Sequence, residues 1–170
     1  VAAGDIIYSL TDGNLLAYST SDSEVRTFDC LTQLNGIKVS QIAYSTAAKR
    51  LIIAYDDCNI DLMNSAGEML NLSALRDKSM TSKTLNGLRV EGKMAYLAMS
   101  FGVVEVDMQE GVFRNTYMLD QNVQSVTLLN GSIYAATAQG VLRGKLSDNL
   151  QDKSKWTTTA GGNFKQLTTM

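Results

Sequence analysis

Four stretches of this chain can be laid over one another: IIYSLTDGNLLAY from Ile6, LIIAYDDCNIDLM from Leu51, MAYLAMSFGVVEV from Met94 and SIYAATAQGVLRG from Ser132. Each is an apolar or alternating run, a short polar or glycine-bearing turn, and a second run. Asn14, Asn59, Gly102 and Gly140 fall in one column, spaced by 45, 43 and 38 residues. KVSQIAYS, TLNGLRVE, NVQSVTLL and NFKQLTTM supply a second column, in which Ile42, Leu88, Val126 and Leu167 align at 46, 38 and 41 residues. A further β-like segment follows each hairpin: EVRTFD, EMLNL, VFRNTYM and KWTTTA. The runs alternate or are β-branched and are bounded by turn residues, which selects strands over helices. Four-stranded units recurring about every 40 residues are the sequence signature of a β-propeller. The expected fold is all-β, with about four blades of four antiparallel strands.

The repeat units run approximately 1–36, 37–83, 84–121 and 122–161, with 162–170 an extra first strand. The first unit reads as lacking its own first strand. Two geometries accommodate that order. The last strand closes a four-bladed ring, or the chain is an arc of a larger propeller. Four blades is the low end for propellers, and the chain stops directly after a strand, so the arc is the preferred reading. Open sheet edges recruit further strands, which makes a homodimer through exposed blade edges an expectation of the arc. Ser73–Lys83 departs from the pattern, with helix formers behind a Ser73 cap, and reads as one helical turn between blades.

The acidic knot of the second repeat, Asp56, Asp57, Asn59 and Asp61, tests two chemistries. As a turn, its Asn59 shares a column with Asn14, Gly102 and Gly140, residue types that tolerate positive φ at the close of a hairpin. As an EF-hand loop, Asp57, Asn59 and Asp61 fit positions 1, 3 and 5 and Glu68 fits 12, but the required glycine at 6 is Leu62. The turn reading is preferred, and no metal is expected. Two readings are open for Asp61, Glu105 and Asp107 on the third strands: paired carboxyls facing a central channel, as a propeller glycosidase requires, or a solvent face, which alternation gives more simply. Tyr8, Ile53, Tyr96 and Tyr134 are read as one column, its tyrosines filling equivalent sites between blades. Trp156 has two readings, a stacking platform for a sugar ring or packing against the neighbouring blade, with packing preferred.

The composition excludes several functions. With no histidine, the chain has no Ser–His or Cys–His nucleophile pair and lacks the commonest general base and metal ligand. Cys30 and Cys58 are 28 residues apart; two buried thiols and a disulfide both remain open, thiols being preferred, and zinc needs more ligands. No catalytic residue or cofactor site is expected. The net charge of −2 is unevenly spread, at −3 over residues 1–60 and +3 over 141–170. The positive end (Arg143, Lys145, Lys153, Lys155 and Lys165) is compatible with an anionic surface, but more simply decorates solvated strands. No basic stripe suits nucleic acid. No apolar run reaches the length of a membrane span, and no leader is present, so any secretion signal was removed or never there.

The hairpins "IAY…NIDL" and "AYLA…FGVVEVD", with the "TY" of the next strand, resemble the N-terminal β-propeller of PorZ-like proteins, components of type IX secretion. The likeness spans about residues 38–120. It implies a non-catalytic envelope protein, periplasmic or at the cell surface, that acts as a protein-interaction or scaffolding module. The alternative is a periplasmic ligand-sensing propeller of a hybrid two-component sensor, binding a glycan or a partner domain. Such sensor repeats carry a Trp-rich hairpin where this chain has tyrosines and isoleucine.

Overall fold

Among the described residues of the computed structural model, which are all but Cys30, Thr32 and Met170, sixteen strands form four antiparallel sheets of four strands each. The first holds β1 (Ala2–Ala3), β2 (Ile6–Thr11), β3 (Asn14–Ser19) and β4 (Val25–Phe28). The second holds β5 (Val39–Ser45), β6 (Arg50–Tyr55), β7 (Ile60–Asn64) and β8 (Met69–Leu72). The third holds β9 (Leu85–Glu91), β10 (Met94–Met99), β11 (Gly102–Asp107) and β12 (Val112–Met118). The fourth holds β13 (Val123–Leu129), β14 (Ser132–Thr137), β15 (Gly140–Lys145) and β16 (Trp156–Gly161). Within each sheet every strand pairs with its neighbour in sequence. A single helical turn, α1 (Ala74–Asp77), links the second and third sheets, and Ser73 precedes it without a side-chain capping bond.

These sheets are the blades of an all-β propeller arc. The inner strands β5, β9 and β13 lie side by side, with β2 next to β5, and no comparable approach joins the fourth sheet to the first. The central strands of the second and third sheets are buried on both faces because each of these blades is covered by a neighbour on either side; β6, β10 and β11 are almost wholly buried. Tyr8, Leu15, Phe28, Leu51, Ile53 and Met63 fill the space between the first and second sheets. Ile52, Ile60, Leu62, Leu97, Met99 and Val104 fill the next, and Tyr96, Val103, Tyr117, Ile133, Leu142 and Trp156 the last.

Both ends of the chain differ from expectation. The first blade does have a first strand, the two-residue β1, prolonged by Val1: the Tyr8 N–H donates to the Val1 carbonyl at 2.8 Å, and the Val1 ammonium to the Tyr8 carbonyl at 2.9 Å. The stretch expected as an extra first strand, 162–170, carries no strand pairing over residues 163–169. It is held instead by the Phe164 N–H on the Thr137 carbonyl (3.0 Å) and the Leu167 N–H on Ser125 Oγ (2.8 Å), along the inner edge of the fourth sheet.

The turn column needs one correction. Gly102 and Gly140 have φ of 151° and 157°, in the region that favours glycine. Asn14 and Asn59 do not have positive φ. In the first hairpin it falls on Asp12 (52°) and Gly13 (80°), and in the second on Cys58 (66°). The second hairpin carries one more residue, Asp56–Asp57–Cys58, where the others have two between their paired ends. That insertion moves the tyrosine column. The residue equivalent to Tyr8, Tyr96 and Tyr134 is Ile52, which faces the third sheet, and not Ile53, which faces the first; a slip of one residue exchanges the faces.

At Gly102 a Cβ would stand 1.9 Å from the Tyr117 carbonyl oxygen, and at Gly140 2.4 Å from that of Ala160. Both positions are closed by backbone, which cannot yield as a side chain does. Gly102→Val is therefore expected to destabilise by about 3 kcal/mol or more, lowering Tm by roughly 6–12 °C. Gly161→Ala, where nothing lies within 4 Å, is expected to stay within about 0.5 kcal/mol of the parent. Thermal and urea unfolding of both variants measures the contrast.

Candidate functional site

The acidic residues singled out from sequence are consumed by the architecture. Asp61 is fully buried on β7, not on a solvent face. Its carboxylate accepts from the Tyr55 hydroxyl, from the Asn35 N–H (3.1 Å) and Nδ2 (2.9 Å), and from Asn71 Nδ2 (2.8 Å). These donors satisfy the buried carboxyl oxygens, as burial of a polar group requires. Burial first, and the Asp61 hydrogen bond second, push the Tyr55 hydroxyl well above its ordinary range. Asn59 is fully buried beside it. Its N–H donates to Asp57 Oδ1 (2.9 Å) and its Nδ2 to the Asn35 carbonyl (3.0 Å), so this residue anchors the linker from the first blade.

Glu105, on β11, is also buried, and accepts from Asn115 Nδ2 at 2.7 Å. The Tyr117 hydroxyl is raised by burial and then by its hydrogen bond to Glu105, while burial and the charges of Glu105 and Glu91 push Tyr96 up to about 12. Asp61 sits opposite Ile53 on the side of the first sheet, whereas Glu105 sits opposite Tyr96 on the side of the fourth. The two cannot flank one scissile bond. Among the described residues there is no group of three or more Asp, Glu, His or Cys able to hold a metal ion.

Asp107, 1% exposed, closes the turn between β11 and β12. Its Oδ1 accepts from the N–H groups of Gln109 and Glu110 at 3.0 Å each, and its Oδ2 lies 3.2 Å from both Lys93 and Arg114. Asn64 closes the equivalent turn of the second blade, accepting at 3.0 Å from the N–H groups of Ala66 and Glu68. Burial acts to raise the Asp107 carboxyl, but those amide and cationic partners outweigh it and hold the group below the usual aspartate value.

Trp156 is no stacking platform. Its indole is buried, Nε1 donates to the Leu150 carbonyl at 3.0 Å, and the ring meets Tyr117 edge-on at 5.8 Å. No face is left for a sugar. Cys58 is a buried free thiol whose Sγ approaches the Lys83 carbonyl, and burial raises its pKa. Its proposed disulfide partner, Cys30, lies outside the described residues.

A concave surface built by three successive blades lies along their inner strands. Each full inner strand carries one bulged residue at the same place: Ser40 on β5, Asn86 on β9 and Gln124 on β13. Bulges re-aim side chains. Asn86 reaches across to the fourth blade, its Nδ2 donating to Asn122 Oδ1 (2.6 Å) and the Val123 carbonyl (2.7 Å). The groove there, of ≈ 410 Å³, is lined by Gln41, Asn86, Arg89, Gln124 and the segment 165–168. Its polar lining combines amides with the cations of Arg89 and Lys165, beside the apolar Leu88, Val126 and Leu167. Neither the bulges nor the groove is marked by any residue type in the sequence; their only sign is a one-residue lengthening that needs both paired strands to be seen.

The comparisons with known proteins agree with this architecture. A family model described as the N-terminal β-propeller domain of PorZ (TSS9) matches residues 7–157. PorZ of Porphyromonas gingivalis, an essential bacterial surface component of the type-IX secretion system, is similar over 94% of this chain at 34% identity and a TM-score of 0.87. An extracellular domain described as that of the hybrid two-component system BT4673 of B. thetaiotaomicron matches over 98% of the chain at 15% identity and a TM-score of 0.72. Apo AztD of Citrobacter koseri matches over 95% at 13% identity and a TM-score of 0.69. The last two likenesses carry the fold alone. The chain spans 22% of PorZ, 22% of the sensor domain and 47% of AztD. Among curated proteins no sequence match is found.

Two outcomes follow from the site. Asp107 is depressed in the folded state, so its stabilisation is complete above the ordinary value of 3.8 and is lost as the pH falls through the lower folded value. Asp107→Asn is expected to be less stable than the parent near neutral pH and to show a shallower loss on acidification, as read by urea midpoints across the pH range. Trp156→Ala is expected to cost about 3–5 kcal/mol, with Trp156→Phe costing less. Emission from the parent's Trp156 is expected to be blue-shifted and unmoved by a panel of saccharides.

Proposed function

The chain belongs to the family of PorZ N-terminal β-propellers, and from that membership we propose that it is a non-catalytic envelope module that holds protein partners during type IX secretion. The observation that carries this reading is the likeness to PorZ at 34% identity over 94% of the chain. The buried carboxylates support it, since Asp61, Glu105 and Asp107 are each engaged in hydrogen bonds or ion pairs that build blades and turns. An extracytoplasmic place, in the envelope or at the surface, follows from the same relatives. The inner-strand groove, with its amides from three successive blades, is the surface we assign to partner contact. Protein interfaces of this polar kind take their specificity from such directed donors and acceptors.

The sensor reading has only the shared fold behind it. The two are separated in cells of the source bacterium. Deleting the propeller from the native gene is expected to reduce surface display of type IX cargo while leaving transcript levels of surface-polymer operons unchanged. Normal cargo display with altered transcription would reverse the assignment.

A further inference from the structure

The layers between successive blades are not filled alike. In the second blade Ile52, Leu62 and Leu70 form one row across β6, β7 and β8, on the face turned to the third. Leu70 lies so close to Gly111 of the third blade that a Cβ there would run into it. Arg50, at the start of β6, spans the same layer, its Nη1 donating to the Met108 carbonyl at 3.0 Å. The equivalent row of the first blade is Tyr8, Ala17 and Arg26, and Ile6 stands where the second blade has Arg50. Gly67 ends the turn that corresponds to the one at Gly111, and nothing lies within 4 Å of the place its Cβ would take. An alanine for a leucine at position 17 and an outward arginine at 26 leave a crevice between the first and second blades.

That crevice has a volume of ≈ 400 Å³. Ile6, Tyr8, Ala17 and Phe28 form one wall and Met63 with residues 65–67 the other, while Arg26 and Gln33 stand exposed at the rim. A narrower pocket of ≈ 100 Å³ shares Ile6, Tyr8 and Met63 and runs on past Tyr44 and Leu51. Both walls are faces that the two blades turn toward one another, so the space belongs to an inter-blade layer and not to the outer face of an end blade. Among the described residues no hydrogen bond engages the Tyr8 or Tyr44 hydroxyl. Burial first, and Tyr44 second, raise the Tyr8 hydroxyl above its ordinary range, which keeps it a protonated donor. Arg26 pairs with Glu24 at 2.9 Å, but the two side chains are 67% and 51% exposed. A pair so wet is worth little, and one carboxylate does not exhaust the five donors of a guanidinium.

We infer that this crevice is a binding site for a small apolar carboxylate, its aromatic or short alkyl body held between the walls and its carboxylate at Arg26. Apolar walls with a few polar groups at one end are the usual make-up of a small-molecule site. The guanidinium fork matches a planar carboxylate, with the Gln33 amide as a further donor. A neutral molecule of the same shape would leave the fork unused, and a cation would be repelled by it.

The test is a titration of the chain, carrying isotopically labelled methionine methyls, with phenylacetate; phenethyl alcohol, phenethylamine and acetate are the comparison ligands. The expected result is saturable movement of the Met63 methyl, while those of Met99 and Met108, in the next layer, stay in place. Phenylacetate is expected to bind about tenfold more tightly than phenethyl alcohol, the worth of one charge-assisted interaction. Phenethylamine is expected to bind more weakly than either, and acetate, which has no apolar body, not to move Met63. Arg26→Gln is expected to bring phenylacetate down to the affinity of the alcohol. Ala17→Leu, which restores the leucine of the second blade, is expected to abolish binding without lowering Tm. Because the Arg26 side chain is exposed, its variant keeps the fold and decides the assignment whatever Ala17→Leu does to stability. Equal affinity for phenylacetate and phenethyl alcohol, phenylacetate binding unchanged in Arg26→Gln, or no movement of Met63 at millimolar phenylacetate would overturn it.

Discussion

The fold depends on face-to-face contact between twisted sheets. A blade with apolar side chains on both faces cannot remain exposed to water, and it is too thin to bury either face within itself. Each blade therefore needs a neighbour on both sides. This single requirement explains why Leu97 and Val103, pointing in opposite directions from adjacent strands of the third sheet, are both fully buried. It also explains why the chain is read most clearly as a repeat. The same packing problem is solved three times, between four successive sheets.

That requirement marks what the sequence revealed and what it concealed. The paired strands of each hairpin were legible, because alternating and β-branched runs between turn residues depend on local preference. The tyrosine column was misread at Ile53 because aligning the hairpins on Asn59 carries the added residue of the Asp56–Cys58 turn back into the strand before it, and a slip of one residue exchanges the faces. Asp61, Glu105 and Asp107 were placed on a solvent face by a rule that suits sheets with one wet side. A propeller blade has none along its central strands. Their partners were within reach of a further step: Asn71 and Asn115 stand directly across from Asp61 and Glu105 in the register, so reading third and fourth strands as a pair would have shown amide against carboxylate. Asn35 was beyond such reading, because it comes from a linker whose path no periodicity constrains.

Electrostatics here serve the architecture more than chemistry. Asp61 is satisfied by hydroxyl and amide donors, and Asp107 is held by two cations and two backbone amides. These are different solutions for carboxylates at different depths, since a cation drawn fully inside would carry its own desolvation cost. Ile7, Tyr18 and Val25 give the open side of the first sheet an apolar character, while the fourth presents Arg143 and Lys145.

The pairing of every strand with its neighbour in sequence has a consequence for how the molecule forms. No hydrogen-bonded contact within a sheet requires distant parts of the chain to meet, so the loop-closure entropy of each step is small. Blades can zip from their hairpins, and the longest-range events left are the docking of one finished sheet on the next. Damage then travels poorly. A defect in the second blade disturbs the first and third through their shared layers, while the fourth, two interfaces away, keeps its own hairpins and its contact with the third.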